Sequence, residues 1–514
     1  MESLEASYFM EEEIEKASLP EGELDHSKTP IFTTLKEFTK KDVAPFYVPG
    51  HKHGKGLKEF TEFLGNEILE MDIPALPEET DNLCNPTGII KESQELIADA
   101  FGAEQGHFLV NGTSEGVQVM IRSAVQPGEE IIIPRNAHKS TVGALILSGA
   151  IPNYVYPEIS SELGIPTVVT SDSIKENLKS NPFTKAVFVI NPSYYGMVSD
   201  LESIVRISHG HGAAVLADEA HGAHMKFHPD FPKGAMEAGA DMSAASLHKT
   251  CGSMTQSSVL LQQGDLITHN DIMKTLNLTR TTSPSFVLMS SIDVARKQLV
   301  LQGKEMLDNT LELVRYARRE LNSIQGVYAF DSNMIGNYGI HNMDETKLGV
   351  HIGKLNISGF ELEKELRNRF GVIIEMAEVD NILALFAIGE SKEPVDRLVR
   401  AFKTIARERG TRDITNITQV PSMPELVTTP REAYYSTMKS VSLDQAIGEI
   451  SGEMLMAYPP GIPVICPGER ITKDVVDYIR ILKEQKAHIQ GTVDPEANKI
   501  RVIQSNVVKI RKIG

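Results

Sequence analysis

The sequence predicts an α/β fold built on a mainly parallel sheet with helices on both faces. Apolar runs alternate with helical stretches from Ile31 to about Val300. Three of these runs lack the apolar–polar alternation of a strand that has one face exposed to solvent. They are Glu130–Pro134, Ala186–Ile190 and Ala213–Ala217. Strands buried on both faces are typical of parallel sheets, so helices must cover both sides.

The length of the chain favours several domains, because 514 residues exceed what a single hydrophobic core usually holds. The first residues are polar and acidic, which predicts an arm without a core of its own. Three prolines between Asn416 and Pro430 predict a linker. We therefore expect an N-terminal arm (1–28), a major domain (29–300), a small α+β domain (301–412), a linker (413–430) and a C-terminal α+β domain (431–514).

The small domain is predicted because the order of helices and strands changes after the major domain. We expect a long helix from Ser291 to about Asn322, interrupted near Gly303. A β-α-β-β-α order follows, and the capping-box pattern Ser358–Glu361 begins its first helix. The expected strands are Leu348–Ile352, Val372–Met376 and Ile382–Ala387, and the expected helices end near Phe370 and Arg407.

Composition limits the partners and the compartment. The net charge of −18 argues against nucleic acid or an anionic membrane, and it suits a cationic small molecule or simply solubility. Cys84, Cys251 and Cys466 are too far apart for a disulfide framework or a zinc pair, so we expect no metal and a reducing cytoplasm. The acidic N-terminus does not resemble a signal peptide, and no apolar run approaches membrane-spanning length.

Lys249 lies in a run of small and hydroxyl-bearing residues from Ala244 to Ser258. Its amine could form a Schiff base with the aldehyde of pyridoxal phosphate (PLP). Ser246 and His248 precede it and could reach the phosphate. The small residues would let a flat ring lie against the backbone. Lys249 is therefore the first candidate for a catalytic residue.

A candidate anion site begins the helix after the run Phe108–Val110. Gly112, Thr113 and Ser114 lie at the start of an amphipathic helix, where backbone N–H groups and hydroxyls are free. The alternative is ordinary N-capping by Thr113 or Ser114. This start follows a predicted strand, so the sequence favours an anion at the carboxyl edge of the sheet.

Further candidates also follow predicted strands. Asp218 ends a buried strand, which is costly unless the charge is paired, and a protonated pyridine nitrogen would pair it. The alternative is an N-cap for the next helix. His138 could stack on a planar cofactor, and the alternative is that it lies exposed in its loop. Asn191–Gly196 is expected to border the site, and the alternative is an ordinary turn. Lys249 follows Asp218 after 31 residues, which leaves room for one more crossover to the same edge.

With these motifs, the chain resembles the ornithine/lysine/arginine decarboxylase family of fold-type I PLP enzymes, over about Thr29 to Val502. The resemblance implies an aspartate aminotransferase-like fold with a seven-stranded, mainly parallel sheet. It is closest to the short bacterial arginine decarboxylases, which lack the N-terminal wing that supports decamers, so we do not expect decamers. The matching segments are Pro49–Lys52, Asn111–Ser114, Arg135–Lys139, Leu147–Ala150, Asn191–Gly196, Asp218–His224, Ser246–Gln256, Tyr458–Pro463 and Pro467–Glu469.

The resemblance implies a role for each candidate. Lys249 would form the Schiff base, Asp218 would pair with the pyridinium nitrogen, and His138 would stack on the ring. Lys249 or His248 would return a proton to the substrate Cα. Glu115 departs from the family pattern beside the phosphate, and we expect it to point away or to influence substrate choice. The residues expected to bind the cofactor are Gly112, Thr113, Ser114, His138, Asp218, Ala220, His221, Ser246, His248 and Lys249.

The implied reaction is decarboxylation of L-arginine to agmatine in polyamine biosynthesis, with L-lysine or L-ornithine as alternative substrates. A distal cation needs a carboxylate, and Glu469 is the candidate, with an exposed loop glutamate as the alternative reading. Tyr194 is a second candidate for substrate contact.

Two other functions are disfavoured. Transamination is disfavoured because no arginine stands in the usual context for clamping an α-carboxylate, and a non-catalytic homologue is disfavoured by the intact motifs. A homodimer or a dimer of dimers, with the active site at the subunit interface, is also implied.

Overall fold

The computed structural model describes residues 24–76, 79–412, 421–422, 424–457, 461–485 and 487–504. Most of the predicted N-terminal arm and half of the predicted linker lie outside these ranges. The first half of the motif Tyr458–Pro463 also lies outside them. None of the described helices combines the length and the apolar character of a membrane-spanning segment.

The described residues form sixteen α-helices and twenty β-strands. The helices are α1 (Pro30–Phe38), α2 (Lys58–Leu64), α3 (Glu67–Glu70), α4 (Ile89–Phe101), α5 (Gly112–Ala124), α6 (Lys139–Ser148), α7 (Ser171–Ser180), α8 (Leu201–His209), α9 (Leu247–Thr250), α10 (His269–Thr279), α11 (Phe286–Asn322), α12 (Gly359–Phe370), α13 (Lys392–Arg409), α14 (Pro430–Tyr435), α15 (Leu443–Ala446) and α16 (Lys473–Glu484). The strands are β1 (Gln105–Leu109), β2 (Glu130–Pro134), β3 (Ile151–Val155), β4 (Ile159–Ser160), β5 (Ile165–Pro166), β6 (Ala186–Ile190), β7 (Met197–Val198), β8 (Ala214–Glu219), β9 (Met242–Ala245), β10 (Ser258–Gln262), β11 (Tyr328–Ala329), β12 (Asn342–Met343), β13 (Lys347–His351), β14 (Met376–Ala377), β15 (Asn381–Leu385), β16 (Met438–Ser442), β17 (Leu455–Ala457), β18 (Pro463–Ile465), β19 (Ile489–Gln490) and β20 (Lys499–Ile503).

The central sheet has seven strands in the order β1-β10-β9-β8-β6-β2-β3. Strands β9, β8, β6, β2 and β3 pair in parallel, whereas β10 is antiparallel to both of its neighbours. Strand β1 is antiparallel to β10 and so points the same way as the parallel strands. The predicted α/β fold, with its seven-stranded and mainly parallel sheet, is confirmed.

Both faces of this sheet are buried under helices. Alternate residues of β6 enter two different apolar clusters. Val187 and Val189 pack in one cluster with residues of α1, α4, α8 and α11. Ala186 and Phe188 pack in the other with residues of α5, α6 and α10. This two-sided burial explains why the strand sequences lack apolar–polar alternation.

The predicted break in the long helix near Gly303 is wrong, because α11 runs without interruption over 37 residues. A Cβ on Gly303 would lie 3.2 Å from the Cβ of Phe227, which is tighter than most such contacts. The glycine therefore allows α11 to approach Phe227 closely. A glycine inside a helix costs about 1 kcal/mol of stability relative to alanine, and the packing of α11 against Phe227 offsets this cost.

A four-stranded antiparallel sheet, here called the small sheet, has the order β11-β13-β15-β14. Helices α12 and α13 and the end of α11 pack in one apolar cluster with it. The capping box of Ser358 and Glu361 begins α12 as predicted. The predicted strand Val372–Met376 is mostly wrong, because β14 begins only at Met376. Ile373 and Glu375 are exposed in the stretch before it.

The described C-terminal residues form a smaller unit with its own apolar cluster around α16. Strands β18, β17 and β19 form one sheet, and β16 pairs with β20. The backbone N–H of Lys139 donates to the carbonyl of Gly461, 3.1 Å away. This segment therefore reaches the loop that follows β2.

Candidate active site

A pocket of about 530 Å³ opens at the carboxyl edge of the central sheet. The loops that follow β1, β2, β6, β8 and β9 all contribute side chains to its wall. This edge is where ligands bind in open α/β sheets. The pocket gathers the predicted cofactor-site residues, and its wall includes Gly112, Thr113, Ser114, His138, Tyr194, Asp218, Ala220, His221, Ser246, His248 and Lys249.

Lys249 lies on the short helix α9, directly after β9, and its Nζ is 2.9 Å from Nε2 of His221. Burial lowers the pKa of Lys249, and the nearby carboxylates of Asp218 and Glu375 oppose that shift. Burial, followed by the charge of Lys249, holds the pKa of His221 well below its usual value. His221 is therefore neutral, and its Nε2 accepts a hydrogen bond from the protonated amine of Lys249, because an ammonium group can only donate. The amine is thus oriented by an imidazole.

The tautomer of His221 follows from this contact. Because Nε2 accepts, Nδ1 carries the proton, and among the described residues this buried atom has no hydrogen-bond partner. The ring also lies 4.6 Å from the ring of Tyr194, centroid to centroid. The Nζ of Lys249 is 5.8 Å from the centroid of Tyr194. A buried donor without a partner beside an aromatic wall is suited to a ligand.

Asp218 is the last but one residue of β8, and its side chain is buried. Its Oδ1 accepts the backbone N–H of Ala220 at 3.0 Å. Burial raises the pKa of Asp218, while the N–H of Ala220 and the charge of Lys249 act in the opposite direction. A turn follows β8, and the next helical turn begins only at Met225, so the alternative reading as a helix N-cap is wrong. A cationic ligand group would stabilise the ionised carboxylate.

The start of α5 has the properties expected of an anion site. The N-cap is Asn111, whose side chain makes no capping bond, so Thr113 and Ser114 are not the cap. The hydroxyl of Thr113 lies 2.8 Å from that of Ser246. Gly112 has φ +68°, and a Cβ there would meet no atom within 4 Å. Open space therefore faces the N-terminal end of the helix.

Two further histidines border the pocket in fixed orientations. Nδ1 of His138 accepts the backbone N–H of Ser140 at 3.3 Å, so this residue caps α6. Burial, with Lys249 and Lys139 adding to it, lowers the pKa of His138 to about 4. Nδ1 of His248 lies 2.9 Å from the carbonyl of Ser257, so Nδ1 donates there, and Nε2 can donate to a ligand only when the ring is protonated. His138 is thus a neutral, flat ring, and His248 is held by its own loop.

These residues fit PLP. The open helix start and its hydroxyls match a phosphate, the buried Asp218 matches a pyridinium nitrogen, and the amine of Lys249 lies in the same pocket. The orphaned Nδ1–H of His221 offers one more donor to a polar ring substituent. The pocket thus combines an end that binds an anion, a carboxylate that can pair with a cation, and a nucleophile.

Behind the pocket lies a buried polar cluster that the sequence did not reveal. The Nζ of Lys347 donates to the carbonyl of His221 at 3.0 Å and forms an ion pair with Asp344. Both side chains are fully buried. Burial alone would raise the pKa of Asp344, but the charges of Lys347 and His224 outweigh it and hold that pKa far below its usual range. The cluster joins the small sheet to the backbone that carries His221.

Glu469 does not lie free in the pocket. Its two oxygens accept from Nε and Nη2 of Arg135 at 2.6 and 2.7 Å, and one also accepts the backbone N–H of Cys466. The side chain is fully buried. The prediction that Glu469 accepts the substrate cation is wrong for this reason, and so is the alternative of an exposed loop glutamate.

Two carboxylates that the sequence did not single out do line the pocket, Glu375 and Glu378. Glu375 fell within the predicted strand Val372–Met376, which hid its position. Glu115 is buried and does not belong to the pocket wall. Burial raises the pKa of Glu115, and the nearby charge of Arg280 opposes this. Glu115 therefore points away from the site, as expected.

The chain is similar to known proteins over most of its length. Residues 29–394 match the model of the Orn/Lys/Arg decarboxylase major domain, and residues 414–496 match that of the C-terminal domain. The chain is 41% identical to an arginine decarboxylase of Bacillus subtilis, over 94% of this chain and 99% of that protein. It is 38% identical to an arginine decarboxylase of Bacillus anthracis, over 94% and 98%. A lysine decarboxylase structure from Francisella novicida shares the fold, with TM-score 0.80 and 20% identity over 93% of this chain and 81% of that one. The chain therefore belongs to the Orn/Lys/Arg decarboxylase family.

Proposed function

We propose that this pocket holds PLP on Lys249 and decarboxylates L-arginine, releasing agmatine and CO₂ for polyamine biosynthesis. The family makes the chain a PLP-dependent amino-acid decarboxylase. The observation that carries the residue assignment is the meeting of Lys249, Asp218 and the open start of α5 in one pocket. The likeness to arginine decarboxylases over nearly the whole chain supports the substrate.

When bound, PLP supplies an aldehyde that condenses with amines and a protonated ring that accepts the electron pair left by departing CO₂. Asp218 keeps the ring nitrogen protonated, because a buried carboxylate is stabilised by a cation beside it. His138, a neutral ring in the pocket wall, would stack on the cofactor ring. Thr113, Ser114, Ser246 and His248 would hold the phosphate beside Gly112, whose own N–H donates to the carbonyl of Gln256 at 2.8 Å. Ala220 and His221 would pack beside the ring.

Lys249 has two tasks in this proposal. Its lowered pKa makes the neutral amine more accessible, as a nucleophile requires. The same amine, oriented by His221 at 2.9 Å, returns a proton to Cα after CO₂ leaves. His248 is the alternative donor. Tyr194, whose ring packs against His221, contacts the substrate.

The alternative substrates are L-lysine and L-ornithine. A constitutive lysine decarboxylase of Escherichia coli is 23% identical over 91% of this chain, which favours lysine much less than arginine. The deciding experiment measures CO₂ and amine product from purified protein with PLP and arginine, lysine or ornithine in parallel. The expected result is the highest kcat/KM with arginine. No CO₂ from any of the three, or a preference for lysine, contradicts the proposal.

We also propose that the enzyme works in the cytoplasm as a homodimer or a dimer of dimers, with active sites at the subunit interface. Free and buried thiols of Cys251 and Cys466 support a reducing compartment. Exposed apolar side chains, among them Phe46 and Phe63, support burial by a second copy. Sedimentation of the purified protein tests this, and a monomer with full activity contradicts it.

A further inference from the structure

We infer that Glu375 binds the distal cationic group of the substrate. This inference rests on the proposed decarboxylation of a basic amino acid and deepens it. A guanidinium or ammonium group inside a pocket needs a carboxylate partner, because a desolvated charge without one is costly. The pocket wall must therefore contain a carboxylate that is not already occupied.

Three carboxylates line the pocket among the described residues: Asp218, Glu375 and Glu378. Asp218 lies at the end of β8 and accepts the backbone N–H of Ala220, and in the proposed function it would pair with the ring nitrogen of the cofactor. Glu378 accepts the hydroxyl of Tyr195 at 2.8 Å and a second bond from the side chain of Asn381. Both of these carboxylates already have partners.

Glu375 differs from them. Its carboxylate forms no hydrogen bond or ion pair with any described residue, and the side chain is exposed where it borders the pocket. Burial of part of the group raises the pKa of Glu375, and the cations of Lys249 and Lys347 oppose this shift. The carboxylate is thus partly desolvated and lies within electrostatic range of Lys249, without a hydrogen-bond partner among the described residues. A substrate cation would supply that partner.

The backbone holds Glu375 in a fixed position. Its N–H donates to the carbonyl of Leu383 at 3.0 Å, at the entry to the hairpin of β14 and β15. The N–H of Glu378 closes the same hairpin on the carbonyl of Asn381 at 2.8 Å. Specific recognition requires a site on a rigid element, and the hairpin provides one.

The free carboxylate also favours one cation over another. A guanidinium presents two parallel N–H groups that match both oxygens of a carboxylate, whereas an ammonium makes point contacts. Because neither oxygen of Glu375 is engaged, a two-bond pairing is open to it. The geometry therefore supports arginine ahead of lysine and ornithine.

The test is Glu375→Gln, which keeps the shape and removes the charge. The holoenzyme is assayed with L-arginine and with L-citrulline, the neutral analogue of nearly the same shape. Agmatine binding is measured by calorimetry, and the absorption band of the bound cofactor reports an intact site. Glu363→Gln is the matched control, since Glu363 lies on α12 in an exposed pair with Arg367.

We expect kcat/KM for arginine and the affinity for agmatine to fall about 10- to 100-fold in Glu375→Gln, as for the loss of a charged hydrogen-bond pair. The citrulline value and the cofactor band stay at wild-type levels, and Glu363→Gln changes nothing. Wild-type arginine turnover and agmatine affinity in Glu375→Gln would overturn the inference, as would an equal loss with arginine and citrulline.

Failure of the proposed function gives a different result. A wild type that releases no CO₂ from arginine, lysine or ornithine contradicts the proposed function. Agmatine calorimetry on the same protein then still decides the role of Glu375. Weaker agmatine binding by Glu375→Gln supports it, and unchanged or absent binding by both proteins contradicts it.

Discussion

Arg135 and Glu469 form a fully buried, two-bond ion pair, with Nε–Oε1 and Nη2–Oε2 distances of 2.6 and 2.7 Å. Arg135 follows β2, whereas Glu469 belongs to the C-terminal part of the chain. Arg135 also donates to the carbonyl of Pro463 at 2.9 Å. Since His138 is three residues farther along the same loop, the pair fixes one wall of the pocket. Glu469 thus supports the site without reaching into it.

The first prediction concerns this pair. Glu469→Gln leaves the buried guanidinium of Arg135 without its charge partner, so we expect a loss of about 3–5 kcal/mol in the free energy of unfolding. Urea unfolding measures it. The control is Glu425→Gln, which removes an exposed pair with Arg470 and should cost far less. A Glu469→Gln variant with normal stability but a raised KM for arginine would instead show that Glu469 binds the substrate.

The second prediction concerns Lys249. Lys249→Ala removes the only amine within hydrogen-bond reach of His221 Nε2 that the described residues provide. We expect turnover to fall below detection and the absorption band of lysine-bound PLP to vanish, while the unfolding curve stays close to wild type. Lys274→Ala, at an exposed position on α10, is the matched control. Retained turnover in Lys249→Ala would exclude Lys249 as the catalytic residue.

The third prediction concerns Lys347, which holds the carbonyl of His221 at 3.0 Å. Lys347→Met leaves Asp344 charged and buried, so we expect a loss of about 3–5 kcal/mol in the free energy of unfolding. Adding Asp344→Asn removes that charge and should restore most of the stability. If Lys347 positions His221, kcat stays about 10-fold low in the double variant, as for one lost charged hydrogen bond. A double variant with wild-type kcat would limit Lys347 to a structural role.

The sequence predicts those parts of the site that depend on short patterns of neighbouring residues. Lys249, Asp218 and Thr113 each lie at or just after the end of a strand with a recognisable apolar run. Parallel strands bring such positions to one edge, so the pocket could be expected without knowing any contact. Their individual roles in catalysis stay predictions, as does the division of the chain into domains.

The parts that were not predictable depend on packing between distant segments. Lys347 contacts His221 across 126 residues, and Arg135 contacts Glu469 across 334. A lone charged residue in a strand or loop gives no sign of such a partner. Gly303 shows the same limit, because only its contact with Phe227 explains why a glycine remains inside a helix.

The last prediction concerns acid sensitivity. Burial, followed by the charges of Arg280 and His269, lowers the pKa of His107 from 6.5 to about 3. The folded protein therefore binds this proton only near pH 3, whereas the unfolded chain binds it near pH 6.5. Stability must fall as the pH drops through this window, by about 1.4 kcal/mol per pH unit for one such group, and it is unaffected above the window.

His107→Phe tests that sign directly. It keeps a flat ring on β1 and removes a buried Nε2 that has no partner among the described residues. We expect the free energy of unfolding of the variant to depend less on pH between about 6 and 4 than that of the wild type, by about 1.4 kcal/mol per pH unit. His138, with its pKa near 4, keeps part of the acid sensitivity in both proteins. Urea unfolding at several pH values measures the slopes, with the exposed His211→Asn as the control. Equal slopes in wild type and His107→Phe would show that folding does not lower the pKa of His107.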